Sequence, residues 1–276
     1  MSNTTSKLSI VTINYNNAKG LERTLSSVWN EQTYPNFEHI VIDGGSTDGS
    51  VDIIKRYSDK LAYWVSEPDK GIYNAMNKGI DKAQGEYLLF LNSGDWLGKE
   101  SLKNIFSYNF NEDIVSGNLI NVEPNGKARV IKSPKTIKLS ELMLHYLPHP
   151  ATFIKRELFS NKRYKEEYKI ISDWIFWIEE LIFNNRTYLS IDTNISYYNL
   201  LGISSKSENR QKIEEEKTSF LKNRFGERFE MDNIYKCFKA IDIISKHKSN
   251  QLITSKSMQR KLRIYYKILL FIKKFF

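Results

Sequence analysis

Four short runs of apolar, β-favouring residues recur in the first hundred positions: Leu8 to Ile13, His39 to Ile42, Tyr63 to Val65 and Tyr87 to Leu91. Runs of this length bounded by polar turn residues predict buried strands. Between them, apolar positions repeat at helical spacing. Leu21, Leu25 and Val28 share one face, as do Val51, Ile54, Tyr57 and Leu61, and then Met76, Ile80 and Ala83, after which Gly85 predicts a C-terminal stop. Ser46 and Asp48 are candidate helix N-caps. This alternation predicts an α/β fold, a largely parallel sheet covered on both faces and joined by right-handed crossovers. Ligands of such sheets bind at the carboxyl ends of the strands.

After Ser101 the regularity is lost. Asp113 to Val122, Pro124-Asn125-Gly126 and Ala128 to Ile131 read as a hairpin on a strong turn. His149 to Ile154 reads as a further strand, and Ile170 to Phe183 as a buried helix rich in Trp and Ile. From Ser205 the chain is helical in pattern and strongly basic. The resulting division is a first part, residues 1–110, a second part, 111–205, belonging to the same domain, and a basic helical extension, 206–276.

Composition narrows the function. A chain of 276 residues, 41% hydrophobic and 13% aromatic, can bury a substantial core. Its net charge of +9 points to an anionic partner: nucleic acid, a phosphorylated substrate or an anionic membrane surface. The basic residues gather in the tail without a recognisable reading motif, so nucleic acid is not expected. Cys237 is the sole cysteine, which excludes an internal disulfide, a CxxC pair and a cysteine-rich zinc site and fits a cytoplasmic setting. Met1 to Lys7 is polar and lacks the apolar core of a secretory signal. No apolar run reaches the roughly 18 residues of a spanning helix, since Lys267, Lys273 and Lys274 interrupt the last one; any membrane contact is expected to be peripheral, at the inner face. Between Ser257 and Phe276, Leu262, Tyr265, Tyr266, Leu269, Leu270 and Ile272 are interspersed with Arg260, Lys261, Arg263 and Lys267. That mixture suits a helix lying in an anionic membrane interface, or a terminal helix packed on the domain with a solvated basic face.

No strand is followed by G-x-G-x-x-G or by G-x-x-x-x-G-K-[ST], which argues against a dinucleotide enzyme and a P-loop ATPase. The second strand leads instead into Asp43-Gly44-Gly45-Ser46-Thr47-Asp48. A carboxylate there can accept the N3–H of a uracil ring while glycines admit close backbone approach; the same residues also suit a tight turn with Asp48 as cap.

Four segments in order, Ser9 to Asn16, Val41 to Gly49, Glu67 to Gly79 and Gly85 to Asp95, resemble the family 2 glycosyltransferases. The resemblance covers residues 8–97 and continues more weakly through His149 and Asp173. It implies the GT-A fold, a Rossmann-like αβα sandwich, and an inverting enzyme using a nucleotide-diphosphate sugar with Mg²⁺ or Mn²⁺. By position, Thr12 and Tyr15 would line the base pocket, Asp43 would face the base, and Asp69, Lys70 and Asn74 would shape the donor loop. Leu91-Asn92-Ser93-Gly94-Asp95 stands where the family has an acidic metal-binding sequence. Two of its three carboxylates are missing here, leaving Asp95 as metal ligand with Asn92 as a weaker contact; hard cations accept one or two protein carboxylates when phosphate and water complete the shell. The general base that inverting transfer needs would be Asp173, with Trp174 flanking the acceptor sugar and His149 beside it. The expected acceptor is a glycan or a polyprenyl-diphosphate-linked sugar, in cell-surface polysaccharide synthesis. A nucleotidyltransferase-like protein and an inactive GT-A scaffold are the alternatives.

Overall fold

Strand β1 (Leu8–Asn14) is buried at every position, because it lies in the middle of a sheet with helices on both sides. It pairs in parallel with β2 (Phe37–Asp43) and β4 (Tyr87–Phe90), and β2 pairs in parallel with β3 (Tyr63–Ser66). The computed structural model describes residues 7–123, 125–144, 147–199 and 207–225. Helices α1 (Ala18–Trp29), α2 (Ser50–Arg56) and α3 (Ile72–Lys82) connect the strands, but α2 is shorter than its predicted stripe, Tyr57 and Leu61 lying beyond its end. Side chains alternate across the sheet: Val11 and Ile13 pack with Met76 and Ile80 of α3, whereas Leu8 and Ile10 pack with Val28 of α1.

The second half departs from the parallel scheme. It comprises β5 (Trp96–Leu97), α4 (Ser101–Phe106), β6 (Ile114–Val122), β7 (Ala128–Ile131), α5 (Leu139–Leu144), β8 (Thr152–Lys155), α6 (Ser172–Trp177), β9 (Tyr188–Asn199) and α7 (Arg210–Phe225). The sheet runs β3-β2-β1-β4-β8-β6-β9-β5, with β7 on β6. β8 is antiparallel to both β4 and β6, and β5 to β9, while β9 is parallel to β6. Helix α6 runs on into a π-helical segment, Ile178–Phe183, so the apolar stretch read from Ile170 is helical from Ser172 onward. The β6–β7 hairpin is present, Pro124 of its turn lying outside the described residues. So does the tail beyond residue 225, including the basic-aromatic stretch 257–276.

Three local readings change. His149–Ala151 is a 3₁₀ turn, and the strand starts only at Thr152. Helix α3 ends at Lys82, with Ala83 already extended, so Gly85 is not its stop. A Cβ on Gly85 would lie 2.5 Å from the Ser9 amide nitrogen, and its own amide donates to Ser9 Oγ at 2.8 Å; glycine is needed there for contact with β1. Neither Ser46 nor Asp48 is the N-cap of α2, a position held by Gly49 at φ 93°. Asp48 instead accepts from Ser50 and from the Ala18 amide of α1, and α1 is capped by Asn17.

His39 is fully buried on β2, its Nε2 2.9 Å from Thr12 Oγ1 and its ring stacked on Trp29. Burial depresses its pKa to about 3. The unfolded chain therefore binds a proton that the folded chain refuses between pH ~6.5 and ~3, so this contribution to stability is full above that window and falls as pH drops through it. Urea unfolding at pH 7 and pH 5 is expected to show a pH-linked loss in wild type that is smaller in His39→Leu by about 2 kcal/mol in total. An equal loss in both proteins would refute the assignment.

Candidate active site

The loops after β1, β2, β3 and β4 emerge on the same edge of the parallel half, and hydrogen bonds between them fix their mutual positions. The centre is the Asp43 carboxylate. Its Oδ1 accepts from Asn14 Nδ2 at 2.7 Å and Ser46 Oγ at 2.6 Å, and its Oδ2 accepts from the Ser46 amide at 2.9 Å and Ser66 Oγ at 2.6 Å. Burial alone would raise its pKa, but the donors from Ser46, Ser66 and Asn14 outweigh that and hold it below the ordinary aspartate value. Asn16, at φ 46°, accepts from the Thr47 amide and donates its own amide to Ser46 Oγ. Asn17 reaches the fourth loop through the Ser93 carbonyl at 2.9 Å.

Above this base lies an open corner. Tyr15 is 66% exposed, the most exposed large hydrophobic side chain among the described residues. Beside it, Asp69 projects toward Gly44: a Cβ on Gly44 would sit 2.5 Å from Asp69 Oδ2 and 3.2 Å from the Tyr15 ring. Asp69 Oδ1 accepts from the Gly71 amide at 2.8 Å. An exposed aromatic face beside a carboxylate oxygen can stack a base and accept its imide proton.

In the fourth loop, Asp95 is only 4% exposed and its carboxylate accepts from the Asn199 amide at 3.2 Å. Burial pushes its pKa up to about 8, opposed by that amide. Asn92 Oδ1 is also buried and has no hydrogen-bond partner. A buried carboxylate with one amide donor and an unpartnered amide oxygen in one four-residue turn are oxygen donors of the type that suits a hard cation completed by phosphate oxygens. Among the described residues, no group of three or more His, Cys, Asp or Glu could by itself hold a metal ion.

The opposite wall is built by α3 and α6. Tyr73, buried on α3, places its hydroxyl 2.7 Å from Asp173 Oδ1 and 2.8 Å from the Ile170 carbonyl. Burial, reinforced by the Asp173 charge, raises the Tyr73 pKa well above its ordinary value, so the phenol stays a donor. Asp173 is half-buried in the first turn of α6. One residue beyond Tyr73, Asn74 takes the Lys70 amide on Oδ1 and gives Nδ2 to both oxygens of Glu166, each at 3.1 Å. Asn77 also donates to Glu166. These amides, with the nearby Lys70 and Lys169 charges, hold Glu166 below the usual glutamate range against its slight burial.

Tyr15 and Asp69 thus stand together above Gly44, with Lys70 exposed beside them, and α3, which starts at the Asp69–Gly71 loop, holds Asp173 through Tyr73. Other expectations are corrected. Thr12 is fully buried against His39 and does not line a pocket. Asp43 lies beneath its loop with both oxygens engaged and braces the pocket from below. Trp174 is in the core, its indole donating to the Leu142 carbonyl at 2.6 Å and its ring packed on Phe220, so no acceptor sugar can stack on it. His149 is enclosed by Phe90, Tyr164 and Trp177, and its Nε2 lies 3.0 Å from Tyr164 Oη. Burial lowers its pKa, with the Asp173 charge acting in the opposite sense; it supports the wall instead of touching an acceptor. Asn74 acts by orienting Glu166. Sequence reasoning missed Tyr73 and Glu166: the former lies inside the Glu67 to Gly79 segment with nothing to single it out, and the latter sits in Lys165-Glu166-Glu167, which reads as solvated charge.

A sheet with this strand order, its loops gathered at the carboxyl edge of the parallel strands, defines a GT-A glycosyltransferase fold. The family profile described as "Glycosyl transferase family 2" matches residues 9–168, and the chain belongs to that family. It is 48% identical over 88 residues to an uncharacterised glycosyltransferase of Mycobacterium tuberculosis, a match covering 32% of this chain and 34% of the relative. It is 31% identical over 177 residues to a PGL/p-HBAD biosynthesis glycosyltransferase of Mycobacterium bovis, covering 61% of this chain and 67% of that one. Among solved structures, residues 1–349 of TarS from S. aureus superpose with a TM-score of 0.58 at 26% identity, covering 70% of this chain and 60% of that one; the same fragment is also known in complex with UDP-GlcNAc. The chain spans about a third of the length of the first of these relatives.

Because Gly44 leaves room for Asp69, Gly44→Ala is expected to push the Asp69 carboxylate away from Tyr15. Titration calorimetry with UDP should show affinity reduced about tenfold, the value of one charge-assisted hydrogen bond, with an unchanged far-ultraviolet spectrum. Wild-type UDP affinity in the variant would remove Asp69 from the pocket.

Proposed function

We propose that this chain transfers a sugar from a UDP-sugar to a hydroxyl of a glycan or polyprenyl-diphosphate-linked acceptor, with inversion, in the synthesis of a cell-surface polysaccharide. The observation that supports the proposal is that one helix, α3, starts at the Asp69–Gly71 loop beside Tyr15 and holds Asp173 through Tyr73. In this reading the base stacks on Tyr15 and gives its imide proton to Asp69. Asp173 removes the proton from the acceptor hydroxyl as its oxygen bonds to the anomeric carbon; the bond from that carbon to the diphosphate breaks, and UDP leaves with the electron pair. Tyr73 holds Asp173 in place by a hydrogen bond that needs no charge of its own. Asp95 and Asn92 would hold Mg²⁺ or Mn²⁺, which would neutralise charge developing on the leaving diphosphate. UDP-GlcNAc is the first donor to test, since it is the one bound by the TarS fragment.

A role at the inner membrane face rests on the sequence of residues 257–276. Among the described residues, no helix is long and apolar enough to cross a membrane.

Mass spectrometry of products from UDP-GlcNAc and other nucleotide sugars, with lipid-linked and free glycan acceptors, tests the proposal directly. Release of UDP with a glycosylated product supports it, while pyrophosphate release would favour nucleotidyl transfer. Asp173→Asn is expected to lower turnover at least about 10³-fold, within the range of general-base losses, while UDP affinity stays within about twofold of wild type. Undiminished turnover would exclude Asp173 as base. For the metal, EDTA is expected to suppress transfer and Mn²⁺ to restore it, with Asp95→Asn requiring about tenfold more Mn²⁺ for half-maximal rate because it loses a charged oxygen ligand. Full activity of wild type in EDTA would remove the cation from the scheme.

A further inference from the structure

Helix α7 lies in the part of the chain that the sequence presents as an appended basic extension, yet it reaches the segment that leads into α6 and Asp173. The Glu216 carboxylate accepts from two consecutive backbone amides, Lys169 at 2.8 Å and Ile170 at 3.0 Å. These amides precede α6, whose N-cap position, Ile171, offers no side-chain cap. The Ile170 carbonyl, on the far side of the same residue, lies 2.8 Å from Tyr73 Oη, and that hydroxyl is 2.7 Å from Asp173 Oδ1. One path therefore runs from Glu216 through the Ile170 backbone, amide on one side and carbonyl on the other, to Tyr73, whose one hydroxyl proton lies between that carbonyl and Asp173. The helix is seated firmly enough to hold that path. Phe220 and Leu221 are buried in the main core, Phe220 meets Trp174 and Tyr168 edge to face, and Lys217 Nζ lies 4.8 Å above the Trp174 ring.

We infer that Glu216 is a positioning residue for the transfer reaction: its carboxylate pins the Lys169–Ile170 backbone and so sets where Tyr73 holds Asp173. A carboxylate suits this task because its two oxygens serve both amides at once and charge-assisted bonds hold geometry more tightly than neutral ones. The geometry around Asp173 is thus completed by a helix beyond residue 206, and the extension is part of the active site's frame. The catalytic consequence rests on the proposed role of Asp173 as base; the anchoring does not.

The test uses the full chain and the isosteric variant Glu216→Gln, with UDP-GlcNAc as donor and turnover normalised to UDP-binding sites counted by titration calorimetry. A merely structural loss would lower the number of sites and leave turnover per site intact. Positioning predicts turnover per site lower by about 10- to 100-fold, the scale expected for a misplaced catalytic group, with UDP affinity unchanged. Glu215→Gln, on the exposed face of α7, is the charge-matched control and should retain full turnover. In a Tyr73→Phe background, Glu216→Gln should cost little more, because both act along one path. Full turnover per site in Glu216→Gln, when Asp173→Asn is inactive, overturns the inference. If Asp173→Asn itself stays active, the base assignment fails, and amide exchange decides on the anchor: faster exchange at Lys169 and Ile170 in Glu216→Gln sustains it, and unchanged exchange refutes it.

Discussion

The donor side of this molecule depends on one buried carboxylate. Asp43 collects hydrogen bonds from β1 through Asn14, from its own loop through Ser46, and from the end of β3 through Ser66. Three parallel strands end at this point. A single ionised side chain with four donors, three side-chain groups and the Ser46 amide, ties the three loop starts into one floor. Hydrogen bonds to a buried charge are the stronger kind, and leaving such a group short of donors costs more than the bonds themselves contribute. The floor in turn sets Asn16 in its left-handed conformation and brings Gly44 under Asp69.

The same logic explains how two halves of different topology share one cleft. Helix α3 begins beside the donor loops, and its first two turns send side chains across to the second half: Tyr73 to Asp173, Asn74 and Asn77 to Glu166. Asn77 is itself clamped to the Tyr164 backbone on both its oxygen and its nitrogen. Every one of these links is a polar contact spanning about ninety to a hundred positions in sequence, so they form only once the sheet has brought β4 against β8. Packing of the aromatic cluster Phe90, His149, Phe159 and Tyr164 at that seam fixes the distance over which they act.

The parallel half was legible in the sequence because its strands are buried on both faces and therefore appear as continuous apolar runs, and because helices covering them need a single apolar stripe. The second half was less so. Whether β8 runs parallel or antiparallel to β4 depends on how a long connection returns, and no local pattern records that. Among candidate site residues, type and motif singled out Tyr15, Asp69 and Asp173 together with Thr12 and Trp174, but they do not tell which way a side chain points. Thr12 and Trp174 sit in the right segments and face the wrong side: Thr12 pairs with His39 within the sheet, and Trp174 is drawn into the core by the Leu142 carbonyl and Phe220. Glu166 carried no signal, since its role comes from two asparagines about ninety residues earlier.

The two ends of the donor corner differ in how much they leave undone. At the base end both oxygens of the Asp43 carboxylate are engaged, so the floor is held in place before a nucleoside arrives and little binding energy goes into ordering it. At the turn Asn92-Ser93-Gly94-Asp95 the situation is reversed. The backbone is well tied, with Thr24 bonding the Asp95 carbonyl and the Gly94 amide, yet Asn92 Oδ1 has no partner and the Asp95 carboxyl is pushed up to about 8 by burial. A frame around a buried carboxylate and an unpartnered amide oxygen costs folding free energy. In the proposed reading a group supplying positive charge or donors would recover that cost. In the proposed reaction this is the end where the diphosphate lies and where charge develops as the sugar departs. A frame left short of positive charge there stabilises the departing group with its cation more than the resting protein, which is the direction catalysis requires.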